Sequence, residues 1–342
     1  MTFDSSQNET RAATYALLIL NAPTPSSPAE LERSYSSVDR KDTQIVRRPT
    51  TSRRTLLKGS AALSTAMVAP KVARVEAQGD GTNIEDGYLL PTYRILSYYG
   101  FPTNELMGIL GEYAKEDLLP ILQDQAAAYE AADPSRPMKL AFEVIASVAQ
   151  RDAGADGNYL EYTSPEWIQE YVDFTAANDL LLILDMQYGY NTTEQELNAV
   201  REYLLYPHVH LALDPEFSVN EGEVPGEVLG QIDAAEVNWA LQELATISAE
   251  NGLPPKILVV HQFNLYSITN KDQIVAPEGV QFVLEVDGWG DPEAKRETYS
   301  VVAGEVPFDF YGFKLWYQQD VPLMTPEEVV ALVPSPDIVI YQ

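Results

Sequence analysis

Acidic residues recur at the ends of short apolar runs in this 342-residue chain. "HLALDPEF" (210–217) ends in Asp214 and Glu216 around Pro215. "LLILDMQ" (181–187) ends in Asp185 and Gln187, and "VQFVLEVDG" (280–288) carries Glu285 and Asp287. "KLAFEVIA" (139–146) holds Glu143, "KILVVHQFN" (256–264) holds His261, Gln262 and Asn264, and "FYGFKLWYQ" (310–318) holds Lys314 and Trp316. Buried strands seldom carry such groups without a partner or a task. Paired carboxylates suit general acid–base chemistry, because crowding pushes their pKa values apart and creates one acid and one base. Glycoside hydrolysis is the reaction that uses such a pair most directly.

On that reading Glu216 is the expected general acid/base and Asp214 or Asp185 its partner. His261, Gln262 and Lys314 would hold substrate hydroxyls or a developing negative charge. Tyr98, Glu143, Gln187, Asp287 and Trp316 would complete the substrate surface, with Tyr99, Tyr188 and Trp289 as further aromatic candidates for stacking on sugar rings. No cofactor and no metal motif is expected: there is no H-E-x-x-H, no histidine cluster and no cysteine. His208 and His210 lie at the start of a strand and are expected to be structural. A G-x-S-x-G elbow is also missing. Two other readings stay open: a non-catalytic glycan-binding or envelope-associated barrel protein, and a metal-dependent hydrolase using the carboxylates as ligands.

The elements that must position these residues repeat one grammar. Eight apolar, β-branched runs begin near residues 93, 139, 180, 209, 256, 280, 310 and 337, and their near-continuous apolarity fits parallel strands covered on both faces. Helix starts separate them. "SPEW", "DPEA" and "TPEE" each place Ser, Asp or Thr at the N-cap, Pro next and Glu in the first turn. "DAAE" (233–236) opens a capping box, and its helix closes on Gly252. Only "SITNKDQIVAPEG" is too short for a full helix. "DPEF" resembles these starts, but Gly222, Pro225 and Gly226 follow and would stop a helix, so residues 214–216 are expected to end a strand.

Eight βα units in this length predict an α/β fold, a (β/α)8 TIM barrel whose eighth helix is absent. An open doubly wound sheet would want a glycine-rich phosphate turn after the first strand, and none is present. Ile338 and Ile340 are expected to close the barrel against the first strand, with some of residues 78–92 covering its bottom. Residues two apart on a strand share a side, so Asp214 and Glu216 should face the axis above His210 and Ala212.

The N-terminus reads differently. Residues 1–50 are rich in Ser, Thr, Pro and charge and are expected to be a disordered extension. Within 51–77, Arg53 and Arg54 precede "TLLK", a short apolar stretch and "VEA", the order of a twin-arginine signal peptide cleaved after Ala77. The barrel domain would then be 78–342. The expected partners are the Tat translocase during export and a carbohydrate or cell-wall glycan afterwards, with the product soluble outside the cell or in its envelope. No stable membrane span is expected.

The formal net charge is −29. Half of the 22 Lys and Arg lie in residues 1–77 but only a small share of the 51 Asp and Glu, so the barrel is more acidic still. Nucleic acid is therefore excluded as a partner. A halophilic acidic surface and an ordinary acidic bias both fit this balance.

"LALDPEF", "PGEVLGQIDAAEVN", "LPPKILVVHQFN", "DGWGDPEAK", "GFKLWYQQD" and "MTPEEVVALVPSPDIVIYQ" together resemble a family of exported bacterial proteins, many of them lipoproteins, with a glycosidase-like (β/α)8 barrel. The resemblance spans roughly 92–342. It implies the barrel and export, and it carries no reaction. With no cysteine to lipidate, soluble export is what it implies here. True glycosidase barrels place Asn-Glu at the end of strand four and a glutamate late in strand seven. Here Asp214–Glu216 and Lys314–Trp316 occupy those places.

Overall fold

The computed structural model of the protein describes residues 87–342. Residues 1–50 and the twin-arginine stretch with Arg53, Arg54 and Ala77 lie outside the described residues.

The eight apolar runs form strands β1 (Arg94–Gly100), β2 (Met138–Ala149), β3 (Leu181–Gly189), β4 (Val209–Ser218), β5 (Lys256–Gln262), β6 (Val280–Val286), β7 (Phe310–Leu315) and β8 (Ile338–Tyr341). Each pairs in parallel with its sequence neighbours. The sheet closes where β8 pairs with β1 in the register Ile95↔Ile338 and Ser97↔Ile340. Around it lie a one-turn helix Ile109–Glu112 and helices α1 (Lys115–Ala132), α2 (Pro165–Ala177), α3 (Thr193–Val200), α4 (Ala234–Asn251), α5 (Pro292–Glu305) and α6 (Pro326–Val330). The result is a (β/α)8 barrel in which helices fill six of the eight positions after the strands. Among the described residues a 3-10 turn, Lys271–Gln273, stands in for a helix between β5 and β6, and no helix follows β8.

Local chemistry sets the helix starts. Ser164 accepts from the Trp167 N–H, and Asp291 accepts from those of Glu293 and Ala294; a proline follows each. Asp233 with Glu236 and Thr325 with Glu328 make full capping boxes. α4 ends on Gly252 in the left-handed region, φ 61°, where a side chain would be strained. "DPEF" starts no helix: β4 runs through it to Ser218. Short strands absent from the sequence expectation also form, among them Ile232–Asp233 paired with Ile268–Thr269. The short strand Leu160–Tyr162 pairs antiparallel with the end of β2, at Ser147↔Tyr162.

Two apolar layers follow from strand alternation. Residues such as Leu96, Leu184, Leu211 and Val260 pack outward on the helices. Ile95, Ile183, Ala212, Val259, Val283 and Ile340 fill the barrel interior, with Leu90 beneath them. The segment before β1 closes the bottom. The Gln281 side chain accepts from the N–H groups of Leu89 and Leu90 and donates to the Leu90 carbonyl. Above this dry floor the inward positions turn polar at the C-terminal strand ends, the end where such barrels do chemistry.

Candidate metal centre

His261, at the end of β5, stands at the middle of this polar layer and is fully buried. Its Nε2 lies 2.9 Å from Glu143 Oε1 and its Nδ1 lies 2.9 Å from Glu285 Oε2. Asp185 Oδ1 is 3.8 Å from Nε2, and Asp287 Oδ2 is 3.6 Å from Nδ1. Burial and the Lys314 ammonium both act to lower the imidazole pKa. The carboxylates of Asp287, Glu143 and Glu285 outweigh them and hold it well above the ordinary value.

The backbone makes room for this arrangement. Gly312 on β7 is the register partner of Glu285, and a Cβ there would come within 2.7 Å of the Glu285 Cγ. A bulge in β2 between Ile145 and Ser147 resets that strand's phase just above Glu143. Glu143 and Ile145 therefore face the axis, while Ser147 turns outward and donates to Glu196 on α3.

Asp287 and Lys314 form a second, closed unit. Lys314 Nζ donates to Asp287 Oδ2 at 2.9 Å, and it lies 3.8 Å from the Tyr99 ring centroid and 4.9 Å from that of Trp316. The other oxygen of Asp287 accepts from Trp316 Nε1 and from the Gly288 N–H. Burial alone would raise the Asp287 pKa, but Lys314 and His261 win and depress it. For Lys314 the sign is opposite: burial lowers its pKa, and Asp287 with Glu285 raises it further than that.

Asp185, Asp214, Glu285 and Glu216 are not paired with Lys314 by a direct hydrogen bond, and burial dominates them. Burial, then Glu143, raises Asp185 to about 6 against the pull of His261. Burial and Asp185 raise Asp214 to about 8. Burial and Asp287 raise Glu285 to about 7. Glu216, half-buried at the mouth, is pushed well above the carboxylate range by burial and then by Asp214. Six carboxylates thus surround the two cations His261 and Lys314. Three of their oxygens, Glu143 Oε2, Asp185 Oδ1 and Glu285 Oε1, are buried with no hydrogen-bond partner. A buried unpaired anionic oxygen is costly, and a proton or a metal ion relieves it.

Two trios have ligand atoms within 4.8 Å of one another, Glu143–Asp185–His261 and His261–Glu285–Asp287. Their chemistry differs. Asp287 has both oxygens engaged, whereas Glu143 and Asp185 each keep one unengaged. In the first trio the Tyr99 hydroxyl donates to Asp185 Oδ2 at 2.8 Å, and Glu285 takes the Nδ1 side of His261, leaving Nε2 to the ligand set. A carboxylate behind a ligating histidine is the usual outer support of a metal site. The cluster is therefore capable of metal coordination, the alternative that the sequence left open without a ligand set, because its donors come from β2, β3 and β5 and share no local spacing.

Of the residues singled out from sequence, the structure brings Glu143, Asp185, Asp214, Glu216, His261, Asp287, Lys314 and Trp316 to one end of the barrel. Tyr98 points into the helix layer, where its hydroxyl donates to Gln125. Gln262 likewise turns away from the axis and accepts from Lys271 Nζ. Gln187 shares the inward phase of Asp185, but its Oε1 accepts from the Ala149 N–H and braces the end of β2. Tyr188 is buried against the helices with its hydroxyl on Thr193. Tyr99 and Glu285 prove to be integral to the cluster.

No family model matches the chain, and no curated protein matches it. No described helix is long and apolar enough to cross a membrane.

Proposed function

We propose that the barrel is a metal-dependent hydrolase whose ion is held by Glu143, Asp185 and His261. What supports this reading is one observation: Glu143 and Asp185, each with one buried oxygen that has no hydrogen-bond partner, offer ligand atoms within 4.8 Å of His261, whose Nδ1 is already held by Glu285 at 2.9 Å. Two carboxylates and one imidazole suit a divalent first-row ion such as Zn2+ or Mn2+. Such an ion supplies Lewis acidity.

The chain's own residues do the rest. Glu285 fixes the His261 tautomer and ring plane, and Tyr99 fixes the Asp185 carboxylate. Asp214 and Glu216 stand between the trio and the mouth, and their raised pKa values suit them to pass a proton to a leaving group. The Asp287–Lys314 pair holds the opposite wall. A metal-free reading, with Asp214 and Glu216 alone as acid and base, draws on the same two raised values. It leaves the unpartnered oxygens of Glu143 and Asp185 without a role. The sequence support for export is the twin-arginine stretch, and a secreted hydrolase is the corresponding cellular reading.

The test is hydrolysis of a panel of chromogenic esters, phosphoesters and glycosides by protein supplied with Mn2+ or Zn2+. Turnover should vanish with EDTA and return on metal addition. Turnover indifferent to chelation would return the chemistry to Asp214 and Glu216 alone.

A further inference from the structure

Beside the carboxylate cluster lies a cavity of about 680 Å³, within the ordinary range for small-molecule sites. Its walls are the loops that follow β4, β5 and β6, together with one side of α5. Asp287 belongs both to this cavity and to the cluster, so the two adjoin. We infer that this cavity is the subsite for an uncharged saccharide ring, stacked on Trp289 and Tyr266.

Three features carry the inference. The first is an aromatic wall. Trp289 is half-buried, with its ring centroid 5.4 Å from Phe263 and 5.5 Å from Trp316. Tyr266, 68% exposed, stands at the rim. An exposed aromatic beside a cavity is costly to leave in water and is suited to a ligand with one apolar face. The second is the remaining lining: the neutral amides Gln231 and Asn264, the Thr298 hydroxyl, and glycine backbone at 226, 230, 288 and 290. The side-chain amides and the hydroxyl donate to and accept from ligand hydroxyls without imposing charge, whereas the N–H groups of Gly230, Gly288 and Gly290 already donate to Glu216, Asp287 and Asp320.

The third is the charge balance. Lys295 is the cation in the lining, and its ammonium is spent inward on the carbonyls of Gly288 and Lys314 and on Asp320 Oδ2 at 3.0 Å. An ammonium has three donors, so none is left for a ligand. Glu227 is tied to Arg151, and Asp291 caps α5. A phosphate or a uronate entering here would meet carboxylates with no cation released to it. Its desolvation would go unrepaid. A flat apolar face, many hydroxyls and no charge describe a neutral pyranose.

This deepens the hydrolase reading and rests on it only for the claim that the bound ring is substrate. Binding is therefore measured without metal. Calorimetric titration in EDTA would use cello-, xylo-, manno-, laminari- and chito-pentaose, with trigalacturonate and a hyaluronan hexasaccharide as acidic counterparts. At least one neutral pentaose should bind with a submillimolar Kd, and both acidic sugars at least tenfold more weakly. Trp289→Ala should weaken binding tenfold or more, and Tyr266→Ala, at an exposed rim position that folding does not need, severalfold. Tyr113→Ala, an exposed aromatic outside the cavity lining, should leave it unchanged, and measuring in EDTA separates this claim from the metal claim. No binding by any neutral pentaose would overturn the inference. So would acidic sugars binding equally well, or both aromatic variants binding like the parent.

Discussion

The barrel carries two buried histidines on adjacent strands, His210 near the start of β4 and His261 at the end of β5, and they are in opposite states. His210 Nδ1 accepts from the Ile257 N–H. Burial, then the Lys256 ammonium, lowers its pKa well below the ordinary value, so it is neutral. Lys256 itself donates to the carbonyls of Tyr206 and Val209 and is lowered by burial to about 8. No carboxylate figures among the groups that shift either residue. His261 is just as buried, yet carboxylates bracket it and hold it charged. Burial alone therefore does not set the state of a buried histidine here; the carboxylates around His261, which His210 lacks among the groups that shift it, do.

The largest expected effect separates the two ends outright. Asp185→Asn combined with Glu143→Gln should lower Mn2+ or Zn2+ affinity by more than about 100-fold, since it removes two donors rather than a supporting contact. His210→Ala should leave that affinity unchanged. It should instead cost about 2–4 kcal/mol of stability, through a cavity and an orphaned Ile257 N–H, read by urea denaturation. If His210→Ala weakened metal binding as much as the double variant did, the two ends would not be functionally distinct.

Next comes the support behind His261. Glu285→Gln should weaken metal binding by about 10- to 100-fold. Gly312→Ala, which drives a methyl into Glu285 from the neighbouring strand, should do the same while costing about 1–3 kcal/mol. Equal metal affinity in Gly312→Ala and the parent would mean that Glu285 does not position the ligand.

The smallest effect is a pH slope. Asp185, Asp214 and Glu285 have folded-state pKa values raised to about 6, 8 and 7, so the folded protein binds more protons than the unfolded chain between about pH 4 and 8. Stability then falls as pH rises through that window. His261 adds to the same trend: its raised pKa contributes stability that is full below the ordinary value near 6.5 and lost as pH rises through the folded one. Asp287 has the opposite sign, but its contribution is lost only at acid pH. The chelated protein should therefore melt at lower temperature at pH 8.5 than at pH 5.5. Saturating metal should flatten the slope, because the ion takes the place of the protons. A slope of the same size with and without metal would remove the link between these groups and the ion.

Much of the fold was legible in the sequence because parallel strands and capped helices leave local marks. The eight strands, the caps at Ser164, Asp233, Asp291 and Thr325, the closure at Ile338, and the strand end at Asp214–Glu216 all follow from near neighbours. The site was legible as a set of strand-end residues, since alternation fixes which ones share a side. What escaped is non-local. Whether Tyr98 or Tyr99 faces the axis depends on a phase that "SYYG" does not mark. The bulge in β2 lies beside a hydrogen bond from Ser147 to Glu196, 49 residues on. The pairing of His261 with Glu143 joins strands 118 residues apart, which no spacing motif encodes. The expectation of an acid–base pair therefore rested on the visible "DPEF", while the metal-capable trio lay on three other strands.

The most direct measurement is the anomalous difference density of a Mn2+-soaked crystal, collected above the manganese edge. A single strong peak should lie within about 2.0–2.3 Å of His261 Nε2 and of carboxylate oxygens of Glu143 and Asp185. A peak instead between Nδ1, Glu285 and Asp287, or no peak in the barrel at saturating metal, would contradict the account.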